Sequence, residues 1–248
     1  MEFEFPHIYE YQIDSTNRLA SDLLSKTNPE HGFLVITDYQ TDGKGQYGRF
    51  WQSTAGQNIL ASFIIYPHHV ELEQIFRLHL ASSLAIVDSL EPYSLPRLRI
   101  KWPNDIYSGN RKIAGILIQN NIKAGKIQGS VVGIGINVNQ TEFPESLNAS
   151  SIQLETGKFV SRESLVIKLR QELLRNIQET DEAVWDHMLK RYNELLYLKG
   201  NSTEFILFDG NTLQGIIQEV DPSGMIILLD NQQQRREFKF GEIKYLAT

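Results

Sequence analysis

Lys101-Trp102-Pro103-Asn104-Asp105, with Lys112-Ile113-Ala114-Gly115-Ile116-Leu117 close behind it, is the stretch on which the reading of this chain turns. Each half sets a lysine beside an apolar, strand-like run. The first run ends in a cation, a large aromatic and a polar pair, because a proline cannot continue strand pairing. In the second, Lys112 stands at the mouth of a buried strand and Gly115 lets something approach the backbone closely. Upstream lies a glycine-rich loop with two cations and an aromatic, Gly43-Lys44-Gly45-Gln46-Tyr47-Gly48-Arg49-Phe50-Trp51. Downstream, Gly133-Ile134-Gly135-Ile136-Asn137 again sets glycines inside a strand. Cations on backbone that a ligand can approach make a site for anions, most often phosphates. The pattern therefore points to nucleotide chemistry.

Each segment alone also suits a plainer role. The glycine loop could be a flexible hairpin with a core tryptophan, and it lacks the Gly-Lys-Ser/Thr of a Walker A loop. Lys101 and Asp105 could be a solvated pair at a strand end, and Lys112 an edge lysine that blocks aggregation. Ser15-Thr16-Asn17 could be only a helix cap. The six histidines show no metal-site spacing, and no nucleophile–base–acid triad is evident.

Composition bounds the rest. A chain of 248 residues fits one large domain, or one with a small appendage. Apolar content of 41% and charge of 22% are those of a soluble globular protein with a sizeable core. The absence of cysteine excludes disulfides, thiol catalysis and zinc–cysteine sites. A formal net charge of -6 argues against a general DNA-coating role. The start, Met1-Glu2-Phe3-Glu4-Phe5, lacks a signal-peptide pattern. No apolar run approaches the roughly 20 residues of a membrane span. A cytoplasmic protein without membrane contact is expected.

Along the chain, Asp14-Ser15-Thr16-Asn17 reads as a helix start with Leu19, Leu23 and Leu24 on one face. Strands are expected over 32–39, 58–66 and 97–101, and a strand pair over 112–119 and 130–138 with its turn near Lys123-Ala124-Gly125-Lys126. Helical spacing marks Leu72 to Val87, Leu165 to Ile177, and Trp185 to Leu196, the last with Thr180 as N-cap. After Gly200-Asn201-Ser202 come short alternating strands near 204–208, 213–220, 225–229 and 235–240. So small a β unit would be marginal alone and should pack on the main domain. The division expected is 1–199 and 200–248.

Taken together and in order, Ser15-Thr16-Asn17, the Gly43 to Trp51 loop, Lys101 to Asp105, Lys112 to Leu117 and Gly133 to Asn137 resemble the motifs of the biotin protein ligases. The resemblance covers nearly the whole chain. It implies an α/β (α+β) fold: a mixed-sheet catalytic domain with a small C-terminal SH3-like β-barrel. It implies a ligase that activates biotin with ATP and Mg2+ as biotinyl-5'-AMP. The acyl group then passes to a lysine of a biotin carboxyl carrier protein, releasing AMP and pyrophosphate. A lipoate or octanoate ligase, or a non-catalytic biotin sensor, is the alternative.

Carried over by position, Ser15, Thr16, Gln40, Gly43, Lys44, Lys112 and Gly115 are expected at biotin. Arg49, Trp51, Lys101, Asn104 and Asn137 are expected at ATP. Lys112, Arg49, Lys44 and Asp105 are the catalytic candidates, with Asp105 also a candidate for Mg2+. Two departures stand out. Lys44 replaces a family arginine, keeping charge but losing the bidentate fork, and Gln46 replaces a second arginine, losing charge. Weaker retention of the acyl-adenylate is expected from this. The pattern begins within the first 15 residues, leaving no room before it for the DNA-binding domain of some biotin ligases. No specific DNA binding is expected. A monomer or homodimer would serve.

Overall fold

The computed structural model describes residues 1–246. Its main body is a seven-stranded sheet of order β1-β2-β3-β7-β6-β5-β4. These strands are β1 (His7–Ile13), β2 (Phe33–Gln40), β3 (Ile59–Ile65), β4 (Leu98–Lys101), β5 (Asp105–Ser108), β6 (Arg111–Lys123) and β7 (Lys126–Ile136). Only β1 and β2 run parallel; the other neighbours are antiparallel.

The period of two along a strand sorts the side chains between two faces. One face carries Ala61, Phe63, Val132, Ile134, Ala114 and Ile116 into the main core. There they meet α2 (Phe76–Leu90), α4 (Arg162–Ile177) and α5 (Glu182–Glu194). The other face is covered at one end by α1 (Thr16–Lys26), where Ala20 packs on Val35, Ile64 and Val131. The rest of that face is left for a site. Along it the register aligns Leu60 with Gly135 and Ser62 with Gly133 on one side. On the other side it aligns Gly115 with Gly135 and Leu117 with Gly133.

Beyond α5 a separate antiparallel sheet follows, in the order β11-β10-β9-β8-β12. It comprises β8 (Ser202–Leu207), β9 (Thr212–Val220), β10 (Ile226–Asp230), β11 (Arg235–Phe238) and β12 (Ile243–Tyr245). The small β unit does pack on the main body. Phe205, Ile217, Ile226 and Ile243 belong to the same hydrophobic cluster as α2 and the large sheet. The Trp102 indole N–H donates to Gly224 O at 3.0 Å, and Trp102 meets Phe240 edge-on at 6.0 Å.

Several elements differ from the sequence reading. β1, β5, β12 and the short α3 (Ile152–Thr156) were not anticipated. Helix α5 is capped by Asp181, whose Oδ1 accepts from Ala183 N at 2.8 Å, and not by Thr180. An aspartate one residue nearer the helix outcompetes the threonine hydroxyl for the free N–H groups. As expected, Lys101 ends β4; residues 102–104 then turn into the unanticipated β5, where Lys101 pairs with Asp105 across the ladder. Among the described residues no helix is long and apolar enough to cross a membrane.

Candidate functional site

A cavity of about 520 Å³ opens on the uncovered part of the large sheet. Gly115, Gly133 and Gly135 form its floor, and the helix start, the glycine loop, the β4–β5 turn, residues 143–149 and β12 form its walls. A Cβ on Gly135 would stand 2.6 Å from the Trp51 ring, and one on Gly115 would stand 2.8 Å from it. The close approach read from these glycines is therefore made by Trp51 itself. A Cβ on Gly133 would stand 2.0 Å from Asn17 Oδ1. The bare floor seats an indole at one place and an amide at the other.

At the α1 end a buried polar network builds one wall. Ser15 is the N-cap, its Oγ accepting loosely from Arg18 N at 3.5 Å. Thr16 donates from its backbone N to Gln40 Oε1 at 2.7 Å and from its hydroxyl to the same oxygen at 3.1 Å. Ser62 Oγ lies 2.8 Å from Thr16 Oγ1 and 2.6 Å from Asn17 Oδ1. Asn17 in turn donates to Leu117 O at 3.1 Å. Buried polar groups hold their places when each finds a partner, and this chain of partners ties α1 to β2, β3 and β6.

The glycine loop is folded on itself. Gly45 N donates to Arg49 O at 2.7 Å and Trp51 N to Gly43 O at 2.9 Å. A short 3-10 turn spans Gln46–Gly48. Gly43 lies beside the cavity, where a Cβ would press on Trp51 O and the Gln40 amide. Lys44 Nζ pairs with Asp42 at 2.7 Å, and Asp42 also takes Arg18 at 3.0 Å. Hydrogen bonding to Lys44 holds the Asp42 carboxyl below its ordinary range.

Lys112 is placed from two sides. Its backbone N donates to Asn148 O at 3.0 Å, and its O accepts from Ser150 N at 2.9 Å. Its Nζ forms an ion pair with Asp105 Oδ1 at 2.7 Å and stands 5.2 Å from the Trp51 ring centroid. Asn104 and Asn137 reach the cavity wall as braces. Asn104 Nδ2 donates to Ile116 O at 3.0 Å, and Asn137 Nδ2 donates to Ser150 O at 2.9 Å. Lys101 Nζ lies 3.1 Å from Tyr107 OH. Burial pushes the Lys101 ammonium down to about 8; Asp105 opposes this, and Lys112 and Arg49 add to it.

The cavity is strongly cationic. Lys44, Arg49, Lys101, Lys112 and Lys244 line it, with Asp105 the one carboxylate among the described lining residues. Sequence reasoning missed Tyr107, Tyr245, Lys244 and the 143–149 segment. No motif in the chain marks them; only the fold brings them to the wall.

The chain that builds this cavity has relatives among known proteins. The model of the biotin/lipoate A/B protein ligase family matches residues 9–137. The chain belongs to this family. The bifunctional ligase/repressor BirA of Bacillus subtilis is 34% identical over 163 residues, covering 64% of this chain and 50% of that protein. The chain thus spans about half the length of the Bacillus relatives that it matches. The biotin–[acetyl-CoA-carboxylase] ligase of Paracoccus denitrificans is 30% identical over 232 residues, with 88% of this chain and 91% of that protein covered. Among solved structures, the biotin protein ligase from Aquifex aeolicus in complex with biotin and ATP superposes with a TM-score of 0.82. The identity is 25%, over 99% of this chain and 100% of that one. In this family frame the expected site residues, Gly43 apart, all line one cavity.

Proposed function

We propose that this protein is a biotin–protein ligase. It activates biotin with Mg-ATP and transfers the acyl group to a lysine of a biotin carboxyl carrier protein or domain. The observation that carries this reading is the single cavity in which Lys112, Arg49, Lys44 and Lys101 converge beside the polar wall of Ser15, Thr16 and Gln40. Both reacting groups are anions, so cations at their meeting point are what the chemistry requires.

In the first step a biotin carboxylate oxygen bonds to the α-phosphorus of ATP. The bond from that phosphorus to the bridging oxygen breaks, and pyrophosphate leaves with the electron pair. In the second, the carrier amine attacks the acyl carbon of the mixed anhydride. The amide forms, AMP leaves, and the amine gives up a proton. No enzyme nucleophile is needed. The chain's own contribution is to align the reactants and to set fixed charge where phosphate charge develops. Lys112 is held by Asp105 and by the 148–150 backbone, so its ammonium is preorganised for this role. Thr16 and Gln40 present hydrogen-bonding groups at the other wall, and Trp51 offers a flat apolar surface to the adenosine portion.

Magnesium fits as a companion of the ATP phosphates. Among the described residues no cluster of three or more acidic or histidine side chains could hold a metal, and Asp105 is already paired with Lys112. Magnesium supplies charge neutralisation on the phosphates it arrives with; Asp105 is the side chain that could touch it.

The test is transfer to an apo biotin-carrier domain with Mg-ATP and either biotin or lipoate, read by carrier mass. A biotin adduct that is lost with Lys112→Ala establishes the reading. A lipoyl adduct alone would replace the substrate, and biotin binding without any adduct would overturn the ligase.

A further inference from the structure

Three tyrosine rings surround the Lys101 ammonium, and they come from three separate parts of the chain. Tyr107 is on β5, next to β4 in the sheet. Tyr197 follows α5, its N donating to Ile100 O at 2.9 Å. Tyr245 is on β12, the last strand of the small β unit. Lys101 Nζ stands 4.8 Å from the Tyr107 centroid, 5.7 Å from that of Tyr197 and 4.7 Å from that of Tyr245. The rings brace each other, Tyr107 against Tyr197 at 5.0 Å and Tyr197 against Tyr245 at 6.4 Å. Tyr245 is also seated on Phe205 of the core at 5.1 Å.

We propose that Tyr245 is a positioning residue for the ligase reaction, closing from the small β unit an aromatic box that holds the Lys101 ammonium in the cavity. This rests on the reading of the site given above. A lysine stem is long and flexible, and ordering it costs conformational entropy. Lys112 and Arg49 repel its charge while Asp105 attracts it. The faces of aromatic rings attract an ammonium, more strongly where water is excluded. The Tyr107 hydroxyl, 3.1 Å from Nζ, and the rings of Tyr197 and Tyr245 together fix the head group where phosphate or carboxylate would arrive. Among the described residues the buried Tyr245 hydroxyl has no hydrogen-bond partner, so the ring and not the hydroxyl makes the contact. The small β unit is thereby part of the site as well as a cover for it.

The ring-face argument sets the experiment, done on the full chain. Biotin-dependent exchange of pyrophosphate into ATP reads the first step, and the 15Nζ resonance of Lys101 reads the box directly, whatever the substrate. Tyr245→Leu should cut kcat of exchange about tenfold, the scale of a desolvated cation–π contact. Tyr245→Phe should recover most of that loss. In a Lys101→Met background Tyr245→Leu should add less than about twofold, as expected when two residues act through one contact. The Lys101 titration midpoint should fall further below about 8 in Tyr245→Leu, which keeps the site apolar but loses the ring's attraction for the ammonium, and stay in Tyr245→Phe. Tyr197→Leu, whose ring stands beside that of Tyr245 next to the ammonium, gives a second variant if Tyr245→Leu melts early. An unmoved Lys101 resonance in both leucine variants would overturn the box. An equal cost of Tyr245→Leu with and without Lys101 would overturn the positioning role. Absence of exchange with biotin in the unmodified chain would overturn the ligase reading instead, while the Lys101 resonance still decides the box.

Discussion

Trp51 and Gly135 share one space: a Cβ on Gly135 would stand 2.6 Å from the indole ring. Gly115, paired with Gly135 across β6 and β7, leaves the same ring its room from the neighbouring strand. Gly135→Ala should therefore push the indole off the floor. Overpacking of this kind typically costs about 1–3 kcal/mol. The expected outcome is a KM for ATP raised about tenfold, with the KM for biotin much less affected. Equal KM values for ATP in the variant and the parent chain would separate Trp51 from the nucleotide.

Lys112 should be the most costly single side chain to lose. Lys112→Ala removes the cation whose backbone and head group are both pinned, and leaves the Asp105 carboxylate without its partner. Loss of one preorganised charge contact typically costs about 3 kcal/mol at the transition state, roughly a hundredfold in rate. Single-turnover formation of biotinyl-AMP checks this without interference from product release. A change of less than about fivefold would move the catalytic role elsewhere.

Gln46 occupies the short 3-10 turn of the glycine loop and lines the cavity. Gln46→Arg returns a charge that the resemblance expects at this position. It should slow escape of biotinyl-AMP from the protein, measured as retention of the labelled adenylate through rapid gel filtration. An unchanged escape rate would show that the loop holds the intermediate without that charge.

His79 gives the fold an acid limit. It is stacked on Phe76 at 6.4 Å and near Phe240 at 5.9 Å, and burial lowers its imidazole to about 4. The folded value lies below the unfolded one, so the unfolded chain takes up the proton first as pH falls. Stability is complete above about pH 6.5 and declines towards pH 4, by up to about 3 kcal/mol over that window. His79→Leu removes the ionisable group. Its melting temperature should fall less between pH 7 and pH 4.5 than that of the parent chain.

Much of this protein was legible in its order of residues. Residues whose role is set by near neighbours were readable: the Ser15 cap, the turn at Lys123 to Lys126, the helical spacing of Leu165, Leu169, Leu173 and Ile177, and the strand glycines. So were the motifs, because backbone that must come close and charge that must face an anion restrict the residue types allowed at each place. Edge strands β1 and β12 were not readable, since their half-exposed, mixed residues carry weak alternation and gain their pairing only from a strand elsewhere in the chain.

The sequence alone determined that cations and glycines would recur on strands and one loop, and that a small β unit would need a larger body to pack on. Only the tertiary structure decided what each glycine makes room for: Trp51 over Gly115 and Gly135, and Asn17 over Gly133. It alone gave Lys112 to Asp105, spent the Asn104 and Asn137 amides on backbone carbonyls, and carried Tyr245 to Lys101. The physical reason is that these partners are selected by burial and by the reach of a side chain across a folded core. Spacing along the chain does not encode such distances, because the entropy of closing a long loop grows only slowly with its length. A tyrosine near the end of the chain can thus serve a lysine near its middle as readily as a neighbour could.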